Sequence, residues 1–263
     1  MNNKLYNSET VNATESFSRL LGIMDELRAK CPWDRQQTIE SLRHLTIEET
    51  YELADAILEN NMDDIRKELG DILLHIVFYA KIASETGDFT ITDVIDGICN
   101  KLVFRHPHVF GEVQVNDAED VKTNWESLKI KEGNKSTLAG VPKSLPAIVK
   151  AHRIQDKARA VGFDWDEREQ VWEKIEEELG ELKTEIAQMN AEKMEEEFGD
   201  FLFSMVNAAR LYGIDPEAAL ERTNKKFIKR FNYLEQQTIK AGRPLKTMTL
   251  DEMNVIWEEA KNK

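Results

Sequence analysis

The sequence predicts an all-α protein made of two tandem antiparallel helix bundles, copied from one another at an offset of 129 residues. Three observations carry this. Nearly every segment has apolar residues at helical spacing. The one alternating stretch, G-E-V-Q-V-N at 111–116, is too short to carry a sheet. An acidic pattern also recurs in both halves at a fixed distance.

In chain order, Phe17, Leu20, Leu21, Met24 and Leu27 mark a first amphipathic helix. Residues 46–60 make a second, stopped near Asn60 and Asn61. Asp63 to Thr86 makes a third, closed by Gly87, and Ile91 to Arg105 a fourth, ended by His106 and Pro107. Residues 111–145 then change character, with Gly111, Gly133, Gly140, Pro142 and neighbouring Pro146 among Ser and Thr. The expected organisation is a first helical domain over 1–115, a linker over 116–145 and a second helical domain over 146–263. In the second, helices are expected from Ala147 to Val161, Glu167 to Met189, Ala191 to Tyr212, Pro216 to Lys240 and Leu250 to Lys261. Asp215-Pro216 is a cap and first-turn pair.

Composition narrows the function classes. The 263 residues suffice for one large or two small cores. Net charge is −14 and no strongly basic run stands out, which argues against a nucleic-acid binder. No stretch of about 18 apolar residues exists to cross a membrane, and the N-terminus has no apolar leader. Cys31 and Cys99 form no C-x-x-C or disulfide framework, so a cytoplasmic protein is expected.

The chemistry lies in the repeat. Glu49 and Glu52 recur as Glu178 and Glu181, and Glu68 and Asp71 recur as Glu197 and Asp200. Each half therefore reads E-x2-E, fifteen residues, then E-x2-D, with a further acid ahead (Glu48, Glu177) and a glycine before the last Asp (Gly70, Gly199). Residues i and i+3 share a helix face, and the gap allows a short turn between antiparallel helices. Two pairs of carboxylates can then face each other. Such a group repels itself unless a cation compensates. Oxygen-only ligation, with no Glu-x-x-His, selects Mg²⁺, with Mn²⁺ possible, over zinc or di-iron. A single E-x-x-E is ordinarily a solvated helix face; duplication and the apolar run F-L-F-S-M-V behind the second pair set this one apart. Gly199 is expected to leave room for a neighbouring helix.

These motifs resemble the MazG family of nucleoside triphosphate pyrophosphohydrolases, within the all-α NTP pyrophosphatase superfamily, from about Ser16 to Trp257. C-P-W-D (Cys31 to Asp34) and R-H-P-H-V-F-G (Arg105 to Gly111) are similar to the first half of two-domain bacterial members. The resemblance implies hydrolysis of nucleoside triphosphates to monophosphate and pyrophosphate, Mg²⁺ dependence and a homodimer. It also implies that Lys174, Glu177, Lys193, Lys226, Arg230 and Trp257 contact nucleotide.

The halves differ in bases. Lys226 and Arg230 are one turn apart, as are Lys101 and Arg105, but Lys193 is replaced by Asp64, Lys174 by Leu45, and Trp257 has no counterpart. The second half is the expected main catalytic site. In it Glu178, Glu181, Glu197 and Asp200 hold the metal, which bridges phosphate oxygens and activates water. Glu177 or Glu178 takes a proton, and Lys226 and Arg230 offset charge on the leaving pyrophosphate. Glu49, Glu52, Glu68 and Asp71 form a second site, either active or degenerate. The plainer readings are solvated helix charges for Lys174 and Lys193, packing or a dimer contact for Trp257, packing for Trp33, and local capping for His106 and His108. Broad use of NTPs and dNTPs is expected. The alternatives are a narrower substrate, such as one (d)NTP or phosphoribosyl-ATP, and a non-catalytic acidic helical scaffold.

Overall fold

A computed structural model describes residues 8–117 and 136–262, together with 120, 121, 124, 125 and 128. The chain divides into two compact units, Met1–Gln114 and Val115–Lys263. No strand occurs among the described residues. Much of the expected linker, including Gly133, lies outside them; 120, 121, 124, 125 and 128 are helical.

The first unit holds α1 (Ser8–Lys30), α2 (Pro32–Gln36), α3 (Ile39–Leu58), α4 (Met62–Thr86), α5 (Ile91–Arg105) and α6 (Pro107–Phe110). Its core is Met24, Leu42, Val77 and Phe78, with Phe17, Leu20 and Leu21 packed against them as the periodicity requires. The second unit holds α7 (Ala147–Arg159), α8 (Gln170–Gln188), α9 (Ala191–Leu211), α10 (Pro216–Lys240) and α11 (Leu250–Ala260), with a 3-10 turn at Leu245–Thr247. Val171, Ile175 and Ala208 centre its core.

Local chemistry sets the helix ends. Asn61 accepts from the Asp64 amide at the start of α4, and Asn190, 129 residues on, accepts from the Lys193 amide at the start of α9. The residues just before, Asn60 and Met189, both have positive φ (53° and 55°). The turn joining the two acid-bearing helices is thus copied along with the acids. A methionine in the left-handed region is held there by that turn, since side chains rarely favour it.

Several expectations change. The second helix starts at Ile39, seven residues before 46, because Thr38 accepts from the Ser41 amide while the Ser41 hydroxyl accepts from the Thr38 amide. That reciprocal cap normally carries Glu or Gln at the third position. C-P-W-D opens the short helix α2, and Trp33 is 55% exposed, outside the core of the unit. Pro107 begins the one-turn helix α6 after closing α5, and the His106 ring bonds locally, 2.6 Å from the Leu102 carbonyl. A Cβ built on Gly199 or Gly70 would meet no atom within 4 Å, so neither glycine makes way for a helix of its own chain.

Candidate active site

The short turns make α3 and α4 one antiparallel hairpin and α8 and α9 another. Each hairpin brings three of its four acids together. In the first unit, carboxylate oxygens of Glu49, Glu68 and Asp71 lie within 4.8 Å of one another; in the second, Glu178, Glu197 and Asp200 do the same. Glu52 and Glu181 stand just outside these groups but still act on them. The Glu197 carboxyl is pushed above its ordinary value by burial and by the like charges of Glu181, Asp200 and Glu178. Glu49 is pushed up in the same way, by burial, then Asp71, Glu52, Glu68 and Glu48.

The two clusters differ in what sits beside them. Glu178 is buried, and the Lys174 ammonium donates to its Oε1 at 2.8 Å and to Glu177 Oε1 at 3.0 Å. Those two bonds hold Lys174 well above its usual range. Among the described residues no base pairs with Glu197 or Asp200. In the first unit Leu45 stands where Lys174 would be, and no base among the described residues pairs with Glu49, Glu68 or Asp71. Instead Thr46 places its hydroxyl 2.6 Å from His75 Nδ1 and 2.6 Å from the Tyr79 hydroxyl. Burial lowers His75 against the opposing pull of Asp71.

The remaining expected residues make their close contacts with other side chains. Lys193 donates to Glu196 at 2.7 Å on the α9 surface. Trp257 on α11 packs against Phe227, ring centroids 5.0 Å apart, and the Arg230 guanidinium lies 5.9 Å from the Trp257 ring centroid. Lys226 is exposed on the same helix, α10.

A cavity of roughly 620 Å³ opens over the second cluster. Lys174, Glu178 and Asp200 make its charged end. The rest comes from Leu138, from α7, from residues 162–165 and from the distal part of α9. Arg210 anchors that wall: it donates from Nη1 to Asp164 at 3.0 Å and again from Nη2. Burial raises the Asp164 carboxyl, but bonds from Arg210 and the Trp165 amide, with Arg159 nearby, bring it below its ordinary value. None of these wall residues was signalled by the acid repeat. Those of α7 and of residues 162–165 lie outside the hairpin and meet it only through packing.

The description "MazG nucleotide pyrophosphohydrolase domain" matches residues 37–110 and again 167–234, one match over each carboxylate hairpin. The chain belongs to the MazG family. It is 45% identical over 250 residues to the nucleoside triphosphate pyrophosphohydrolase/pyrophosphatase MazG of Thermotoga maritima, covering 93% of this chain and 95% of that protein. It is 40% identical over 254 residues to the nucleoside triphosphate pyrophosphohydrolase of Escherichia coli K12, covering 93% and 97%. A Bacillus subtilis protein, the uncharacterized protein YabN, is 47% identical over 251 residues, 93% of this chain and 51% of its own length. MazG membership makes the chain a nucleotide pyrophosphohydrolase and removes the scaffold reading. No helix among the described residues is long and apolar enough to cross a membrane.

Proposed function

We propose that the second carboxylate cluster hydrolyses nucleoside triphosphates to nucleoside monophosphate and pyrophosphate, with Mg²⁺ as cofactor and a broad range of NTPs and dNTPs. The observation that carries the assignment to this half is Lys174 beside buried Glu178, a phosphate-ready cation that the first half replaces with Leu45. The names of the Thermotoga and Escherichia relatives support the substrate class.

The residues fit a hard divalent cation. Three carboxylates share a space of 4.8 Å, and burial together with the like charges around it raises Glu197. Oxygen donors alone suit Mg²⁺ or Mn²⁺. Glu178, Glu197 and Asp200, with Glu181 alongside, would hold it; when bound it supplies charge neutralisation for the phosphates and acidifies water. With Glu178 committed to that group, Glu177 is the carboxylate left to accept the water proton, and Lys174 tethers it 3.0 Å away. Lys174 is then released toward substrate phosphate, where a cation matters most as charge develops. Lys193, Lys226, Arg230 and Trp257 complete the nucleotide site in a homodimer. The exposed apolar side chains Phe198, Leu202, Leu220 and Ile228 on α9 and α10 support that assembly. The proposed division into 1–115, 116–145 and 146–263 and a cytoplasmic location belong to the same reading.

The test is pyrophosphate release from a panel of NTPs and dNTPs, with chelated protein and with added Mg²⁺ or Mn²⁺. Metal-dependent release from several bases is expected; no release above background, or release unaffected by chelation, contradicts the proposal.

A further inference from the structure

We propose that Lys174 is the second cluster's own counter-ion, and that the cluster binds a divalent cation tightly only when a nucleotide phosphate draws this ammonium off Glu178. The inference rests on the pyrophosphohydrolase reading and deepens it, by naming what couples metal to substrate in that site.

Lys174 has two carboxylate partners of unlike standing. Its Nζ lies 2.8 Å from Glu178 Oε1 and 3.0 Å from Glu177 Oε1. The Glu177 side chain is 55% exposed, so water screens that contact. The Glu178 side chain is only 8% exposed, and its charge depends on the partners the chain supplies. Glu178 is also one of the three acids whose oxygens lie within 4.8 Å of one another. One oxygen of a cluster carboxylate is therefore held by a cation of the chain's own.

That ammonium works against a second cation. An ion brought to Glu178, Glu197 and Asp200 is attracted by three anions and repelled by a positive charge bonded to one of them, through the same poorly screening surroundings. If Lys174 stays, it repels; if it leaves, it gives up a charge-assisted bond to a buried carboxylate. Either way the affinity for metal alone is lowered.

A triphosphate reverses the balance. Its anionic oxygens replace Glu178 as the partner of Lys174, and the same exchange frees Glu178 for the divalent cation. A lysine suits the exchange, since its compact charge rides on a flexible stem, and this side chain is 36% exposed and has room to turn. Metal and nucleotide then favour each other's binding, and the coupling is reciprocal.

The neighbouring cations are not placed to do this. Lys193 pairs with Glu196, which is outside the three grouped acids, and both side chains are about half exposed. Arg210 pairs with Asp164, again not a cluster acid. The first unit has Leu45 at the position of Lys174, and no base among the described residues pairs with Glu49, Glu68 or Asp71.

The experiment counts free Mn²⁺ by electron paramagnetic resonance. The parent is the full chain carrying Glu49→Gln and Glu68→Gln, so that the acids of the first unit do not contribute. It is compared with the same protein bearing Lys174→Met or Lys174→Arg, each with and without α,β-methylene-ATP, after subtracting the Mn²⁺ held by the analogue alone. Without the analogue, Lys174→Met should bind Mn²⁺ roughly tenfold more tightly than the parent, and Lys174→Arg, which keeps the charge, should resemble the parent. The analogue should raise Mn²⁺ affinity roughly tenfold more in the parent than in Lys174→Met. A gain in metal affinity cannot come from a damaged fold, which would weaken binding. Unchanged or weaker Mn²⁺ binding in Lys174→Met would overturn the proposal, as would an equal enhancement by the analogue in both proteins. Absence of Mn²⁺ binding from every protein, with and without the analogue, would instead count against the metal-dependent pyrophosphohydrolase reading and take the proposal with it.

Discussion

The two hairpins share their acids, their turn and their capping asparagine, yet they are not the same electrostatic object. In the second, buried Glu178 has Lys174 as a partner, and a walled cavity stands over the cluster. In the first, Leu45 holds the position of Lys174 and packs against the core, and the acids have no paired base among the described residues. Duplication thus preserved the grouped carboxylates and varied the side chains around them. Carboxylate spacing alone does not distinguish the two copies; the side chains around the carboxylates do.

The largest expected effect concerns the ties that fix each acid helix within its unit. Position 210 and position 81 correspond. Arg210 is 5% exposed in its pair with Asp164, whereas Lys81 pairs at 2.6 Å with Asp25, which is 63% exposed. Arg210→Met removes the partner of a carboxylate whose side chain is still 20% exposed and should cost about 1–3 kcal/mol. Lys81→Met should cost about 0–1 kcal/mol. Urea unfolding of the two variants compares them; equal losses would show that the wall over the second cluster is no more tightly held than the corresponding tie of the first.

Next is the base beside the cluster. Lys174→Leu gives the second half the residue of the first, and loss of charge-assisted bonds worth about 1.5–3 kcal/mol predicts a 10- to 100-fold fall in kcat/KM. Steady-state assays check this, and an unchanged kcat/KM would remove the main reason for preferring the second half.

A pH effect follows from the acids. Glu197 and Glu49 lie above their ordinary 4.5 in the folded chain. A carboxyl raised on folding contributes stability that is present below the unfolded value and lost as pH rises through the folded one. The metal-free protein therefore loses this contribution above about 4.5, where the ionised acids repel. Because the ligands must be ionised, the rise in Tm caused by Mg²⁺ should grow between pH 5 and pH 8. Differential scanning calorimetry at several pH values measures it, and an increment that shrinks with pH would contradict the cluster's role.

The smallest effect concerns the glycines. With nothing within 4 Å of a built Cβ, Gly199→Ala and Gly70→Ala should each raise stability by about 0.5–1 kcal/mol. Thermal melts test this. A stabilised Gly199→Ala that loses activity would mean that substrate or a second subunit needs the space, and the same change at Gly70 would then serve as the control.

What was legible in the sequence was what is local. Helical periodicity, Gly87 and the Asp215-Pro216 pair each act within one turn, and the i, i+3 acids need only their own helix to be brought together. The start of α3 was missed because Ser41 performs a role usually taken by Glu or Gln. Gln155, Phe163 and Trp165 carry no pattern of their own. They line the cavity over the second cluster only because α7 and the following loop pack against α9, and no spacing rule encodes that meeting. Trp33 carries a packing reading in the sequence, and in the folded chain about half of its surface stays exposed.

The most direct test of the account pairs the two halves. Pyrophosphate release from ATP with Mg²⁺ is compared between Glu178→Gln with Glu197→Gln and Glu49→Gln with Glu68→Gln. The second-half variant should lose roughly a thousandfold or more in kcat, as expected when a metal's charge stabilisation of several kcal/mol is removed. The first-half variant should retain most of it. Loss of turnover in the first-half variant with the second-half variant still active would contradict the central claim and place the chemistry in the other copy.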